Sequence, residues 1–315
     1  MTLGTLVAAA RTVAPDASHR VSLLTADAKP VTAITHDSRV VSPGTVFVAI
    51  RGQHADGATF AHAAAGAGAV AVVSEDDAPD GFPVPWVTTP DARVALAELS
   101  AILYDHPSEA LTVVGVTGTN GKTTTTYLLA SVFDAANLPC GRLGTVTIRT
   151  GPRPDDERAA AHTTPEASDV QRLLREMVTR GCRACAMEVS SHALVLERVA
   201  STRFAAGIFT NLTRDHLDFH GDMAAYFKAK QRLFDLLPPD APAIINIDDP
   251  RGAELAVRVG RPVTFGIHKS ADVRPEGVQL SLDGIACEVT TPVGTVAVRS
   301  SLVGWPNVYN ILGVV

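Results

Sequence analysis

A glycine-bearing segment between an apolar run and a helix start constrains this chain more than any other feature. Residues 113–126 read Val-Val-Gly-Val-Thr-Gly-Thr-Asn-Gly-Lys-Thr-Thr-Thr-Thr, and the apolar run predicts a buried strand. A strand, a glycine loop and a helix N-terminus in this order are typical of a phosphate-binding loop, because the loop N–H groups and the helix dipole both attract anions. Lys122 would bring a positive charge to the outer phosphates, and the Thr123 hydroxyl would bind magnesium. The segment therefore predicts a nucleoside triphosphate ligand, although Val116 stands where the common G-x-x-x-x-G-K-[ST] pattern has its first glycine.

The composition is that of a globular protein with more than one domain. The 315 residues are 46% hydrophobic, which provides enough apolar surface for a large core. No apolar run reaches the roughly 18 to 20 residues of a membrane helix, and the N-terminus lacks a basic segment followed by an apolar one. We therefore expect a cytoplasmic protein with no membrane insertion. The net charge of -6, without a basic cluster, disfavours nucleic acid as a partner.

Cys182 and Cys185 form a C-x-x-C pair, a spacing that also occurs in redox and zinc sites. They lie in a predicted buried strand, where side chains three positions apart point to opposite faces of the sheet. This placement favours two core residues over a metal or redox site.

The order of predicted elements indicates an α/β protein with two domains in this chain. Residues 1–108 mix short β-like runs with alanine-rich helices, which predicts a small α/β domain. In residues 109–315 strands alternate with helices, which predicts a mainly parallel sheet flanked by helices, with its chemistry at the carboxyl ends of the strands. Beyond Asp272 the alternating segments and their turns predict a small antiparallel β section near the C-terminus.

Three further polar segments stand where a site is expected. Glu188 ends a predicted strand, and a carboxylate beside a phosphate site is a natural magnesium ligand. Residues 211–221 contain Asp and His side chains directly after an apolar run, which favours a site over a solvated loop. Lys228 and Lys230 lie on a predicted short amphipathic helix. Most lysines in such positions are solvated, so these two alone do not indicate a site.

Taken together, these motifs resemble the Mur ligases, the ATP-dependent amide-forming enzymes of peptidoglycan precursor assembly. The stretches that carry the resemblance are Thr117-Gly-Thr-Asn-Gly-Lys-Thr-Thr124, Thr163-Thr-Pro-Glu166, Glu188-Val-Ser-Ser-His192, Asn211-Leu-Thr-Arg-Asp-His216 and residues 226–234. Within the family, Asp37-Ser-Arg39 and residues 52–57 are most similar to the members that add the third amino acid, meso-diaminopimelate or L-lysine, to UDP-MurNAc-L-Ala-D-Glu. The resemblance implies a UDP-substrate domain over residues 1–108 and an ATP-binding central domain over residues 109–315.

The resemblance also implies a role for each matching residue. ATP would be bound by Gly118, Thr119, Asn120, Gly121, Lys122, Thr123, Thr124 and Asn310. The UDP-MurNAc-peptide would be bound by Ser38, Gln53, His54, Ala55, Thr163, Thr164, Ser190 and Arg198. One Mg2+ would lie at Thr123 and Glu188, and a second at His216 and Lys230, where family members carbamylate the lysine. Lys122, His216 and Lys230 would be the catalytic residues.

Carbamylation needs a neutral amine, so the environment of Lys230 is expected to lower its pKa. Lys230 is preferred to Lys228 because it fits the family spacing from Tyr226. Family members continue into a C-terminal domain that binds the incoming amino acid. We expect that domain to be absent from this chain, which would act as a monomer and be weak or inactive alone.

Three other functions stay open on the sequence alone. A sister ligase that adds D-Ala-D-Ala shares part of the N-terminal pattern. A P-loop hydrolase that drives motion would share the phosphate-binding loop but gives no role to His216 and Lys230. A non-catalytic UDP-sugar-binding module would need no intact Lys122 or Glu188.

Overall fold

The computed structural model describes residues 1–15, 29–52 and 55–315, and these fall into two compact units. The first unit comprises Met1–Pro107, Glu166–Arg175 and Leu196–Thr202, and the second comprises Ser108–Pro165, Glu176–Val195 and Arg203–Val315. The predicted boundary between residues 108 and 109 does not place the two short segments, Glu166–Arg175 and Leu196–Thr202, in the first unit. Side-chain hydrogen bonds hold these segments within that unit: Arg175 donates to the carbonyl of Tyr104 at 2.7 Å, and Gln171 donates to the carbonyl of Ser201 at 3.2 Å.

The first unit is built on a five-stranded sheet. Its described helices and strands are α1 (Leu3–Ala9), β1 (Ala14–Pro15), β2 (Ala33–Thr35), β3 (Thr45–Val48), α2 (Ala61–Gly66), β4 (Ala71–Ser74), β5 (Trp86–Thr88) and α3 (Ala92–Leu103). The strand order is β1-β5-β4-β3-β2, and every neighbouring pair except β1 and β5 is parallel. Asp91 caps α3 by accepting the N–H groups of Arg93 and Val94 at 2.9 and 3.0 Å, and the helix then buries Leu96 and Leu99 in the core of the unit.

The second unit is built on an eight-stranded sheet. Its strands are β6 (Thr112–Thr117), β7 (Cys140–Leu143), β8 (Thr147–Arg149), β9 (Glu157–Ala159), β10 (Ala184–Glu188), β11 (Ala206–Phe209), β12 (Ala243–Asn246) and β13 (Pro262–Phe265). The order is β13-β12-β11-β6-β10-β7-β8-β9, parallel from β13 to β7 and antiparallel beyond. Val116 pairs with Glu188 on one side and with Ile208 on the other, so the carboxyl ends of β10 and β11 flank the end of β6.

Helices and a small second sheet complete this unit. The helices are α4 (Lys122–Ala135), α5 (Ala167–Thr179), α6 (Ser191–Val195), α7 (Leu217–His220), α8 (Met223–Asp235), α9 (Pro250–Arg258) and α10 (Trp305–Leu312), and the first residues of α5 belong to the first unit. Strands β14 (Arg274–Ser281), β15 (Gly284–Thr291) and β16 (Gly294–Ser300) form an antiparallel sheet of three strands. The predicted α/β class, with its mainly parallel sheet and antiparallel section near the C-terminus, is confirmed.

A short edge strand and a buried cysteine pair are two local features of this unit. Residues 151–161 are rich in charged side chains, yet β9 lies within them and pairs with β8. All three residues of β9 are exposed at the edge of the sheet, which explains their polar composition. Cys182 and Cys185 are buried, as expected for core residues, and burial raises the pKa of the Cys182 thiol to about 11. Within the described ranges, no helix is both long and apolar enough to cross a bilayer.

Candidate active site

The loop between β6 and α4 needs glycine at two positions. Gly118 and Gly121 have φ angles of 147° and 88°, a region that side-chain-bearing residues rarely adopt. A Cβ atom at Gly118 would collide with the Thr210 hydroxyl, and one at Gly121 would collide with the Asn310 side chain. The backbone of this loop therefore lies directly against two neighbouring segments of the unit.

The segment that follows β11 holds the loop in place. The N–H of Thr119 donates to the carbonyl of Asn211 at 2.9 Å, and the N–H of Asn120 donates to the Asn211 side-chain oxygen at 3.0 Å. The Thr210 hydroxyl donates to the carbonyl of Asn120 at 2.6 Å. These bonds hold the loop in one shape, which lowers the entropy that binding a phosphate chain would cost.

Two lysine side chains converge on one carbonyl oxygen of the loop. Lys122 Nζ lies 2.9 Å from the oxygen of Gly118, and Lys230 Nζ donates to the same oxygen at 2.8 Å. Lys230 is only 1% exposed, and its amine lies 4.4 Å from the centre of the Tyr226 ring. Burial, followed by the charge of Lys122, holds the pKa of Lys230 well below its ordinary value. The neighbouring Lys228 is exposed to solvent.

A buried carboxylate lies at the end of β10. Glu188 is 0% exposed, and Thr145 donates to one carboxylate oxygen from its N–H at 2.9 Å and to the other from its hydroxyl at 3.0 Å. Gly144 permits this contact, because a Cβ there would collide with the carboxylate. In the part of the chain that the structure describes, Glu188 forms no ion pair with a basic side chain. A buried carboxylate held by neutral donors and by no ion pair fits the oxygen ligand of a Mg2+ ion.

Histidine rings gather around Tyr226. His216 has a left-handed backbone with φ 51°, and its Nε2 lies 3.4 Å from a carboxylate oxygen of Asp215. The His192 ring centre is 4.9 Å from that of His216, and His220 Nε2 lies 2.9 Å from the Ser191 hydroxyl. Burial and the neighbouring His192 lower the pKa of His220. The described residues contain no group of three or more His, Cys, Asp or Glu side chains arranged to hold a metal. The expected metal sites would instead combine one or two such groups with Thr123 and a modified Lys230.

A cavity of about 630 Å³ opens beside the phosphate-binding loop. Gly121 and Thr124 line one side, and α10 lines the other with Trp305, Tyr309 and Asn310. The Asn310 side-chain oxygen also lies 3.5 Å from the Thr125 hydroxyl on α4. The expected adenine ligand Asn310 is thus placed next to the loop expected to bind the phosphates.

The predicted UDP-substrate residues of the second unit lie around Glu188. The Thr164 hydroxyl donates to the carbonyl of Glu188 at 2.9 Å and accepts the N–H of Ser190 at 3.1 Å. The hydroxyls of Thr145 and Thr163 lie 3.1 Å apart. Thr163, Thr164 and Ser190 therefore form one polar group with the expected magnesium ligand.

In the first unit the predicted substrate residues lie in separate places. Ser38 is half-buried at the start of a short 3-10 helix, where the hydrogen bond with Arg39 outweighs burial and lowers the pKa of Asp37 to about 2. Arg198 forms an ion pair with Glu166. Ala55 is exposed and accepts the N–H of Gly52 at 2.9 Å. Gln53 and His54 lie outside the described residues.

Thr145, which holds the Glu188 carboxylate, was not predicted from the sequence as a site residue. The available signal was a Gly-Thr pair directly after the run Cys140–Leu143, but this run was not recognised as a strand. A polar residue after a parallel strand lies at the edge of the sheet where ligands bind, so recognition of β7 would have placed Thr145 in the site.

A parallel sheet whose central strand leads into a glycine loop, with a buried carboxylate and a buried lysine beside it, defines a P-loop nucleotide-binding protein. Comparison with known proteins narrows this class. A family model described as the Mur ligase middle domain matches residues 116–315, and one described as the Mur ligase family catalytic domain matches residues 30–111. The chain belongs to the Mur ligase family.

Individual relatives agree with this membership. The UDP-N-acetylmuramoyl-L-alanyl-D-glutamate–2,6-diaminopimelate ligase of Geobacter metallireducens is 47% identical over 288 residues, which are 89% of this chain and 55% of that protein. The protein of the same name from Geobacter sulfurreducens is 46% identical, over 89% of this chain and 56% of its own length. The chain thus spans about half the length of the curated relatives that it matches.

Solved structures show the same fold. A structure titled UDP-N-acetylmuramoyl-L-alanyl-D-glutamate–2,6-diaminopimelate ligase aligns with a TM-score of 0.78 and 30% identity, covering 92% of this chain and 59% of the other. MurF from Acinetobacter baumannii aligns with a TM-score of 0.66 and 21% identity, over 96% of this chain and 64% of its own. At that identity the second similarity concerns the fold alone.

Proposed function

We propose that this chain carries the nucleotide- and UDP-substrate-binding parts of an ATP-dependent ligase that adds the third amino acid to UDP-MurNAc-L-Ala-D-Glu. The observation that carries the proposal is the convergence of Lys122 and the buried Lys230 on the carbonyl of Gly118, beside the buried carboxylate of Glu188. A nucleotide hydrolase needs the first lysine but gives no role to the second. The names of the similar proteins favour 2,6-diaminopimelate as the amino acid added.

The residues of the loop would bind and orient ATP for phosphoryl transfer. Backbone N–H groups from Gly118 to Thr124 would surround the phosphates, and Lys122 would leave its carbonyl partners to meet the γ-phosphate. A carboxylate oxygen of D-Glu would then bond to the γ-phosphorus while the bond from phosphorus to the ADP oxygen breaks. The resulting acyl phosphate would be attacked by the neutral amine of the incoming amino acid. Phosphate would leave with the bonding electron pair, and a proton would pass from the amine to solvent.

Lys230 would act as a carbamate in this proposal. Its lowered pKa provides the neutral amine that attacks CO2, forming an N–C bond with loss of one proton. The side chain thereby becomes an anion, which would attract the ammonium group of Lys122 rather than repel it. His216 and the carbamate would hold one Mg2+, and Thr123 and Glu188 another. When bound, these ions would neutralise charge on the phosphates and the substrate carboxylate.

Thr163, Thr164, Ser190 and Arg198 would bind the muramoyl-peptide portion. The arginine fork is suited to a carboxylate or phosphate of the substrate, and Arg198 already pairs with a carboxylate, Glu166. Ser38, Gln53, His54 and Ala55 would bind the uridine diphosphate portion. These assignments rest on the match of this sequence to the family pattern.

Calorimetric titration with UDP-MurNAc-L-Ala-D-Glu tests the proposal on this chain. UDP-MurNAc without the dipeptide and the completed UDP-MurNAc-tripeptide serve as comparators. Tight binding of the dipeptide form, with weaker binding of UDP-MurNAc, is the expected result. Equal binding of the dipeptide and peptide-free forms would contradict recognition of this acceptor, even if Mg-ATP binds normally.

A further inference from the structure

Asp248 lies at the carboxyl end of β12, outside all the residues assigned so far, and is the centre of a hydrogen-bond group. One of its carboxylate oxygens accepts the N–H groups of Ile267 and His268 at 2.6 and 2.9 Å, and the other accepts that of Lys269 at 2.9 Å. Gly266 leaves room for this arrangement, because a Cβ there would lie 3.0 Å from the carboxylate. Three N–H groups aimed at one carboxylate hold it rigidly.

The same carboxylate holds α10 through a fourth donor. The Tyr309 hydroxyl donates to Asp248 at 2.9 Å. Burial, together with the hydrogen bond and charge of Asp248, raises the pKa of Tyr309 to about 12, so the hydroxyl stays a donor at neutral pH. Although burial alone would raise the pKa of Asp248, hydrogen bonds from His268, Ile267, Lys269 and Tyr309 keep it below its ordinary value. The pair is therefore a neutral phenol bound to a carboxylate anion.

Tyr309 lines the cavity of about 630 Å³ beside the phosphate-binding loop, together with Phe265 and Trp305. Asn246 and Asn310 lie in the same wall. Aromatic faces combined with side-chain amides match a purine, which has flat apolar faces and a hydrogen-bonding edge. Asn120 and Gly121 of the loop line the same cavity, so the phosphates of a nucleotide bound there would extend along the loop.

We propose that Tyr309, held by Asp248, sets the shape of the base-binding wall of the nucleotide site, with Asp248 as a positioning residue that acts through Tyr309. The inference rests on the proposed nucleotide site. It adds the residues that would distinguish a nucleotide, which carries a base, from a bare phosphate chain. Without the hydrogen bond, the Tyr309 ring can rotate into the cavity and α10 loses its tie to the end of β12. The phosphate-binding loop, held separately by Thr210 and Asn211, keeps its shape.

The test compares ATP with inorganic tripolyphosphate on wild type, Tyr309→Phe and Asp248→Asn. We expect Tyr309→Phe to weaken ATP binding by about tenfold, because a ring free to rotate into the cavity reduces the fraction of the protein that can accept the base. Tripolyphosphate binding should stay unchanged, since it has no base. Tyr127→Phe is the matched control, because it removes a hydroxyl bonded to Thr147 at 3.0 Å, outside the cavity.

The outcomes separate this inference from the proposed function. If wild type binds neither ligand, the nucleotide site itself is wrong and the inference falls with it. If wild type binds ATP and Tyr309→Phe matches it, only the role of Tyr309 is overturned. An equal loss of both ligands would assign the hydroxyl a general structural role and also overturn the inference. If Tyr309→Phe does not fold, Asp248→Asn carries the same comparison.

Discussion

At the scale of single residues, hydrogen bonds to neutral groups rather than ion pairs hold Glu188, Lys122 and Lys230. Among the described residues, the Glu188 carboxylate accepts hydrogen bonds from the N–H and hydroxyl of Thr145, and the two lysines donate to backbone carbonyls of the loop. A charge held by neutral partners keeps most of its field for a ligand of opposite sign, whereas an ion pair would cancel it. The arrangement thus leaves the Glu188 carboxylate open to magnesium and the Lys122 amine open to phosphate, as proposed above.

Thr145→Val is expected to weaken the magnesium dependence of ATP binding. The substitution keeps the side-chain shape and the N–H bond to Glu188 but removes the hydroxyl that holds the second carboxylate oxygen. Loss of a residue that orients a metal ligand typically lowers metal affinity by about 10- to 100-fold. Titration of ATP at a series of Mg2+ concentrations measures the effect. Thr145→Ser should behave as wild type, and an unchanged Mg2+ requirement in Thr145→Val would refute this role.

At the scale of helices and strands, sequence patterns located the apolar elements and missed short strands that carry polar side chains. Residues 92–103 lie in one of the alanine-rich stretches that predicted helices in the first domain, and they form α3. Strands β7 and β8 have four and three residues and carry polar side chains such as Arg142, so they show no clear periodicity. β7 pairs with β10, a strand distant in sequence, and β8 pairs with β7 in turn, so local patterns do not reveal this part of the sheet.

The same limit applies to the site. Glycine, lysine and threonine of the phosphate-binding loop are local in sequence and were identified together. Thr145 and the Asp248–Tyr309 pair act through contacts across the sheet edge, at 43 and 61 positions from their partners. Only the three-dimensional arrangement of the strand ends brings such residues together.

Gly118→Ala is expected to abolish measurable binding of ATP and of tripolyphosphate. The new methyl group would meet the Thr210 hydroxyl, and the φ of 147° is unfavourable for alanine, so the loop must move. Gly260→Ala is a suitable control in the same unit, since nothing lies within 4 Å of its Cβ and its φ is ordinary. Calorimetry on both variants, with thermal unfolding to confirm folding, measures the difference. Wild-type affinity in Gly118→Ala would show that the loop is not tightly constrained.

At the scale of the whole second unit, sheet topology explains why one edge carries the chemistry. From β6 the chain adds β7 and β10 on one side, then crosses to add β11, β12 and β13 on the other. Ligands of open parallel sheets bind at the point where the order reverses, outside the carboxyl ends of the strands. The phosphate-binding loop follows β6 at this point, Glu188 ends β10, and Asn211 and Asp248 follow β11 and β12. Asp248 therefore links α10 to the edge of the sheet where the proposed site lies.

That link predicts how the stability of the protein depends on pH. The pKa of Asp248 is lowered from 3.8 in the folded protein, so its carboxylate stabilises the fold above about pH 4. This contribution is lost as the pH falls through the lowered pKa, because the carboxyl group is then protonated in both folded and unfolded states. Asp248→Asn should therefore unfold at a lower temperature than wild type at pH 7, with a difference that shrinks below about pH 4. Asp283→Asn, in an exposed turn, should match wild type throughout. Thermal unfolding of the three proteins from pH 7 to pH 3 measures the effect, and a difference that stays constant over this range would show that the charge of Asp248 does not stabilise the fold.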